Sequence, residues 1–176
     1  MTNKTPSPST ESRPLVSILV SRYNGAAFLR EALDSIVAQI YSNLEIILLD
    51  DASSDDTPAI AAEYEGKITY VRRPNNLGIY DIENVGITQA RGSLIATYHA
   101  DDIYLSTFVE GQVAYFQAHP EVGAVFCSDI FVDEESWEYG HLSLAQDVRG
   151  EQPLNYQVVL NALLKYKTDS WSVRAQ

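Results

Sequence analysis

Short apolar runs alternate along this chain with stretches whose apolar positions recur at helical spacing. Leu15–Val20 reads as a buried strand, and Phe28, Leu29, Ala32, Leu33, Ile36 and Val37 then mark a helix ending near Gln39. Leu44–Leu49 is a second strand. The polar loop Asp50–Thr57 follows it and supplies an N-cap for a helix over Pro58–Tyr64. Ile68–Val71 is a short third strand, Pro74–Gly78 a turn, and a further helix runs to about Ala90, closed by Arg91-Gly92. Leu94–Tyr98 is a fourth strand. Ser106 or Thr107 caps the next helix, which runs to about Ala118, and Val122–Cys127 is a fifth strand. Past Asp133 the pattern weakens, with helical spacing over Asn155–Lys165 and a strand end at Ser170–Val173.

Strands alternating with helices imply an α/β fold, with a mainly parallel sheet covered by helices on both faces. No internal repeat divides the chain, so residues 15–176 are expected to form one domain. The segment Met1–Pro14 is rich in Ser, Thr and Pro and lacks the apolar stretch of a signal peptide, so it is expected to be a disordered tail. Ligands of open α/β sheets bind beyond the carboxyl ends of the strands. Tyr23, Asp50, Asp51, Asp101 and Asp102 all fall just past such ends and are expected to share one crevice.

Two of these strands run straight into paired carboxylates, Asp50-Asp51 and Asp101-Asp102. Adjacent carboxylates raise each other's cost of ionisation, and a divalent cation reverses that sign. Oxygen ligands of this kind suit Mg²⁺ or Mn²⁺, which complete their shell with substrate phosphates. Asp50 or Asp51 can accept a hydrogen bond from a base N–H, and Tyr23 can offer its ring face. Together these describe a nucleotide-diphosphate site. Simpler readings stand beside it. Asp50-Asp51 can equally cap the following helix, as can Asp101-Asp102. Tyr23 can be a packing residue, and His99 a structural histidine at a strand end. His119 suits a helix end, Asp133-Glu134-Glu135 a solvated turn and Asp169 a solvated loop. Trp137 and Trp171 fit core or partner packing as well as an acceptor cleft.

Composition narrows the classes. The formal net charge is −12, from 24 acidic and 12 basic residues, which disfavours nucleic acid as a partner. With 45% hydrophobic residues the chain is globular in composition, and no apolar run reaches membrane-spanning length. The single cysteine, Cys127, permits no internal disulfide and reads as a buried inert thiol; a cytoplasmic location, or one at the cytoplasmic face of the membrane, is expected. No P-loop or dinucleotide fingerprint is present, and His99, His119 and His141 lack zinc spacing.

The order of motifs resembles glycosyltransferase family 2, of the GT-A fold. Val16–Gly25 is similar to that family's first strand and base-contacting loop, and Leu33–Gln39 to the helix after it. Glu45–Thr57 is similar to its acidic second-strand motif. Asn76-Leu77-Gly78, Asn84-Val85-Gly86 and Ala90-Arg91-Gly92 fit the segment before the metal motif, Ala100-Asp101-Asp102 the metal motif, and His119–Val125 the turn and strand beyond. The resemblance covers roughly Leu15 to Asp133. It implies a transferase that moves a sugar from a UDP-, GDP- or dTDP-linked donor to a carbohydrate or lipid-linked acceptor. By the same resemblance Ser21, Tyr23 and Asn24 lie in the nucleotide loop, with Tyr23 stacked on the base. Asp51, with Asp50 beside it, binds the base edge. Asp101 contacts ribose or metal, and Asp102 is the main ligand of Mn²⁺ or Mg²⁺.

Three departures from the pattern carry consequences. His99 stands where a third Asp often opens the metal motif, and Glu83 where a small or basic residue is common. The family's catalytic base lies well downstream of the metal motif, and Leu163–Arg174 resembles the segment just before it. The expectation is therefore a domain truncated at its C-terminus, with no catalytic base assignable. The rival function is a non-catalytic nucleotide-sugar-binding module. A receiver-like phosphoacceptor domain is disfavoured, because no lysine lies between Lys67 and Lys165.

Overall fold

Strand β1, Val16–Arg22, is apolar on both faces and becomes the middle of the sheet. The computed structural model describes residues 13–127, 129–132, 138–142 and 171–174. On one side β1 pairs in parallel with β2 (Leu44–Asp50), and β2 with β3 (Thr69–Arg72); on the other side β1 pairs in parallel with β4 (Leu94–His99). Beyond β4, the strand β8 (Trp171–Arg174) runs antiparallel between β4 and β5 (Ala124–Phe126). The order is β3-β2-β1-β4-β8-β5, with a separate antiparallel ribbon of β6 (Asp129–Val132) and β7 (Glu138–Leu142). The expected mainly parallel α/β sheet is therefore present.

Strand alternation sorts the core into two layers. Val16, Ile18 and Val20 of β1, Ile46 and Leu48 of β2, and Leu94, Ala96 and Tyr98 of β4 pack with helices α1 (Ala26–Val37), α2 (Thr57–Glu63) and α4 (Phe108–Ala118). Leu19, Ile47, Leu49 and Ile95 face the other way, onto Ile82 of helix α3 (Ile79–Gln89). Helix α3 lies close to the sheet at Gly86, where a Cβ would stand 2.5 Å from Leu49 Cδ1.

The helix starts differ from the sequence expectation. Thr107 occupies the N-cap position of α4 without a side-chain cap bond. Gln39, just after α1, takes over: its Oε1 accepts the Val109 N–H and its Nε2 donates to the Leu105 carbonyl. At α2, Asp56 is the N-cap residue but makes no cap bond. Asp55 instead accepts the first amides of two helices, Ala26 N–H at 2.9 Å and Thr57 N–H at 3.0 Å. Burial pushes the Asp55 carboxyl up, but the hydrogen bonds from Thr57 and Ala26 outweigh it and leave it below its ordinary value. Arg13 and Pro14 are tied to the fold, since Asn43 donates to the Arg13 carbonyl and the Tyr41 hydroxyl to that of Pro14. Residues 1–12, the Asn155–Lys165 helix, Asp133–Glu135, Trp137 and Asp169 lie outside the described residues.

At the amino ends of the strands, far from the carboxyl edge, Glu45 fastens the α3–β4 turn. Its carboxylate accepts the Ser17 hydroxyl, the Arg91 N–H and the Arg91 guanidinium, while Gly92 N–H donates to Ser17 Oγ. A Cβ at Gly92 would lie 2.7 Å from the Leu15 carbonyl oxygen, so this turn needs glycine. Burial raises the Glu45 carboxyl, and the Ser17 and Arg91 hydrogen bonds more than reverse this, leaving it below its ordinary 4.5. The stabilisation is therefore complete above that value and is lost as pH falls through the lowered one. Glu45→Gln is expected to flatten the acid limb of stability against pH, read by urea denaturation at neutral pH and below 4.5. Gly86→Val is expected to cost about 1–3 kcal/mol by forcing α3 off the sheet, read by the same method at neutral pH.

Candidate functional site

The carboxyl ends of β1, β2 and β4 finish level, because Arg22 pairs with Asp50 across one ladder and Ser21 with His99 across the other. A cavity of about 230 Å³ opens there. The β1 end contributes Ser21, Arg22 and Tyr23, the β2 end Asp51, and the β4 end His99 and Asp101. Asn76, Gly78, Ile79 and Ile82 close it from the α3 side. Of the residues singled out in the sequence, Ser21, Tyr23, Asp51 and Asp101 are thus brought together. Asn24, Asp50 and Asp102 are not among the lining residues.

The Asp50-Asp51 doublet splits across the sheet. Asp50 continues the parity of Ile46 and Leu48 and is fully buried on the α1–α2 face. Its Oδ1 accepts the Ser53 N–H at 2.7 Å, and its Oδ2 accepts the Tyr70 hydroxyl and lies 3.3 Å from Arg72 Nε. Burial, and then the neighbouring Asp50 carboxylate, push the Tyr70 hydroxyl well above its ordinary value. Asp50 therefore locks the loop after β2 and is turned away from the crevice. Asp51 follows Ile47 and Leu49 toward α3, where its Oδ2 accepts the N–H groups of Leu77 at 3.0 Å and Gly78 at 2.7 Å. A carboxylate has acceptor capacity for more bonds than these. Neither acid bonds to the first amides of α2, where the described partner is Asp55.

The first loop is shaped by its backbone. Asn24 sits at φ +52°, a conformation its short amide tolerates, and Ala52 at φ +68°, a strained one for alanine. Asn24 N–H donates to Ser53 Oγ, and Asn24 Oδ1 accepts the Ser54 N–H. Asn24 thus joins the two loops rather than facing the cavity. Tyr23 is about half exposed, with its ring available at the cavity wall.

At the end of β4, Tyr104 organises the second doublet. Its ring stacks on buried Tyr98 with centroids 4.0 Å apart, and its oxygen accepts the His99 N–H at 2.8 Å and donates toward Asp102 Oδ2 at 3.4 Å. Burial, and next the Asp102 charge, hold the Tyr104 proton on firmly. Asp101 faces the cavity and pairs with Arg22, Nη1 to Oδ2, at 3.0 Å. Glu83 of α3 accepts the Ser21 hydroxyl at 3.3 Å. Burial raises its carboxyl above the ordinary value, with Ser21 and His99 opposing.

These donors suit a hard cation only in part. Asp101 and Asp102 offer carboxylate oxygens at one strand end, yet among the described residues no three His, Cys, Asp or Glu side chains cluster to enclose a metal. A cation held here would need oxygens from outside the chain, the usual arrangement for Mg²⁺ or Mn²⁺ bound with substrate phosphates. Sequence reasoning missed Arg22, Tyr70, Arg72 and Tyr104. The parity of Asp50 with Leu48 was a usable signal for its burial, whereas the pairings of Arg22 and Tyr104 across elements had none.

Comparison with known proteins follows the same outline. The sequence matches the family described as Glycosyl transferase family 2 over residues 17–169. It is 37% identical over 124 residues to an uncharacterized glycosyltransferase of Rickettsia prowazekii, covering 70% of this chain and 39% of that protein. It is 31% identical over 160 residues to one of Haemophilus influenzae, covering 89% of this chain and 49% of the relative. The chain thus spans half or less of the length of these relatives. In structure it is similar to the mannosyltransferase PcManGT of Pyrobaculum calidifontis, solved with GDP-Man and Mn²⁺, at a TM-score of 0.66 and 24% identity over 98% of this chain and 47% of that one. It is also similar to S. aureus TarS 1-349 with UDP-GlcNAc, at a TM-score of 0.63 and 22% identity, covering 68% of this chain and 35% of that one. With the family matched over most of its length and the sheet built in the way the family resemblance implied, this chain belongs to glycosyl transferase family 2.

Proposed function

We propose that this chain is the donor-binding part of a metal-dependent glycosyltransferase that moves a sugar from a nucleotide diphosphate to an acceptor hydroxyl. The observation that carries the reading is the convergence of Tyr23, Asp51 and Asp101, from three separate strand ends, on one cavity. Tyr23 would stack on the base. Asp51, held by two backbone amides, would accept the ring N–H of a uracil, thymine or guanine. Asp50 is placed to hold the loop that presents Asp51 rather than to meet the base. The cavity is smaller than the ~300–1,000 Å³ of pockets that enclose a whole drug-sized ligand, which suits the base end of a longer donor.

Asp101 and Asp102 are the residues proposed to hold Mn²⁺ or Mg²⁺. Bound there, the ion would screen the donor diphosphate and stabilise it as a leaving group. Tyr104 orients Asp102, and the Arg22–Asp101 pair keeps a carboxylate at the cavity wall. The donors bound by PcManGT and TarS, GDP-Man and UDP-GlcNAc, belong to the proposed class. Among the described residues no helix is long and apolar enough to cross a membrane. A donor drawn from the cytoplasm is part of the proposal. No described residue is assigned as the base for the acceptor.

Calorimetric titration of UDP and GDP with and without Mn²⁺ tests the reading. Binding of one of them, tightened by Mn²⁺, is expected. Asp51→Asn should weaken it about tenfold, the cost of one hydrogen bond to a charged acceptor. Asp102→Ala should remove most of the Mn²⁺ enhancement; nucleotide affinity that ignores this substitution would overturn the metal assignment. Binding without any donor turnover would assign the chain as a nucleotide-sugar-binding module instead.

A further inference from the structure

The donor cavity already contains a cation of its own. Arg22 is the only lysine or arginine among the described residues that line it, against the two carboxylates Asp51 and Asp101. Its side chain is three-quarters buried and lies over Gly25, where a Cβ would stand 2.0 Å from Nε. Any other residue at position 25 would push the guanidinium off its seat. One Nη1–H reaches Asp101, while Nε is buried and finds no acceptor among the described residues. The guanidinium therefore has donors beyond the one that Asp101 takes, on a residue that lines the cavity. Its planar fork and permanent charge match a phosphate better than a single half-exposed carboxylate. The pair is made through a single Nη1–Oδ2 contact to a carboxylate that is itself nearly half exposed, which leaves it open to exchange.

We propose that Arg22 is a partner-exchanging phosphate ligand. It holds Asp101 in the ligand-free protein, and it turns onto the diphosphate of the nucleotide sugar when Asp101 is taken by a divalent cation. The proposal rests on the donor-site reading above and adds to it a named residue and a thermodynamic signature. Arg22 opposes binding of the cation alone, because the two compete for Asp101. It favours binding of the nucleotide. A residue that merely supported the fold would shift both affinities in the same direction.

The test uses the 176-residue chain, with Mn²⁺ alone and then UDP and GDP as calorimetric probes, the nucleotides at saturating Mn²⁺ and in EDTA. Arg22→Met is expected to bind Mn²⁺ alone at least about threefold tighter than wild type, and nucleotide at saturating Mn²⁺ at least about tenfold weaker. Asp101→Asn, which frees the guanidinium, is expected to bind nucleotide in EDTA more tightly than wild type. It answers the question even where Arg22→Met does not fold. Nucleotide affinity unchanged in Arg22→Met, a parallel loss of both ligands, or no gain in Asp101→Asn would overturn the proposal while leaving the donor site in place. Wild-type protein that binds neither nucleotide under either condition would overturn the donor-site reading, and this proposal with it.

Discussion

Parallel pairing runs unbroken from Val16–Leu44 to Arg22–Asp50 on one side of β1, and from Val16–Leu94 to Ser21–His99 on the other. Each ladder is specified by apolar side chains buried on both faces, so sliding by one residue would exchange the layers that meet α1 and α3. That cost holds three strand ends level. The residues that follow have no ladder partner and must satisfy their polar groups elsewhere. Beside the cavity, Asp51 N–H donates to the Arg22 carbonyl, and the Asp51 carboxylate in turn accepts the amides of Leu77 and Gly78. The crevice is the consequence of matched strand lengths, and its chemistry is whatever the next one or two residues bring.

The sheet was legible because its pattern is local. Runs such as Ile18–Val20 and Ile46–Leu49 announce buried strands by themselves, and the helix between them shows its spacing in Leu29, Leu33 and Ile36. The doublets were legible as chemistry but only half legible as geometry. Alternation past Leu48 and Leu49 sends Asp50 into the core and Asp51 to the α3 side, although the two look equivalent in a linear string. Asp50 then carries a structural charge, met by Arg72, Tyr70 and the Ser53 amide. Leaving such a buried group without one of its hydrogen-bond partners costs about 1–3 kcal/mol, a sizeable part of a domain's margin.

What was not legible depends on partners distant in sequence. Gln39 serves α4 although Thr107 is the better cap by type, because the end of α1 lies against the start of α4. Tyr104 reads as one tyrosine among 11, yet its hydroxyl sits where the last amide of β4 and the Asp102 carboxylate both need a partner. Arg22 reads as a loop cation. Only its seat over Gly25 and its reach to Asp101 give it a place in the site. In each case residue type permitted several roles and packing selected one.

Charge balance connects these placements to function. The chain carries −12 overall, and the cavity at its strand ends has two carboxylates, so an incoming anion would meet repulsion at long range and at the cavity. Locally the balance is closer than the total suggests. Asp51 is compensated by backbone amides fixed in the chain, whereas Asp101 is compensated by a side-chain guanidinium. On the proposed reading this asymmetry divides the labour: the fixed compensation holds an acceptor ready for the base, and the mobile one becomes available to the phosphates when a cation takes its place. A second lysine or arginine in the cavity would bind phosphate more strongly but would also compete for the same carboxylates. On the same reading, one exchangeable arginine among the described lining residues would let cation and nucleotide each assist the other's binding.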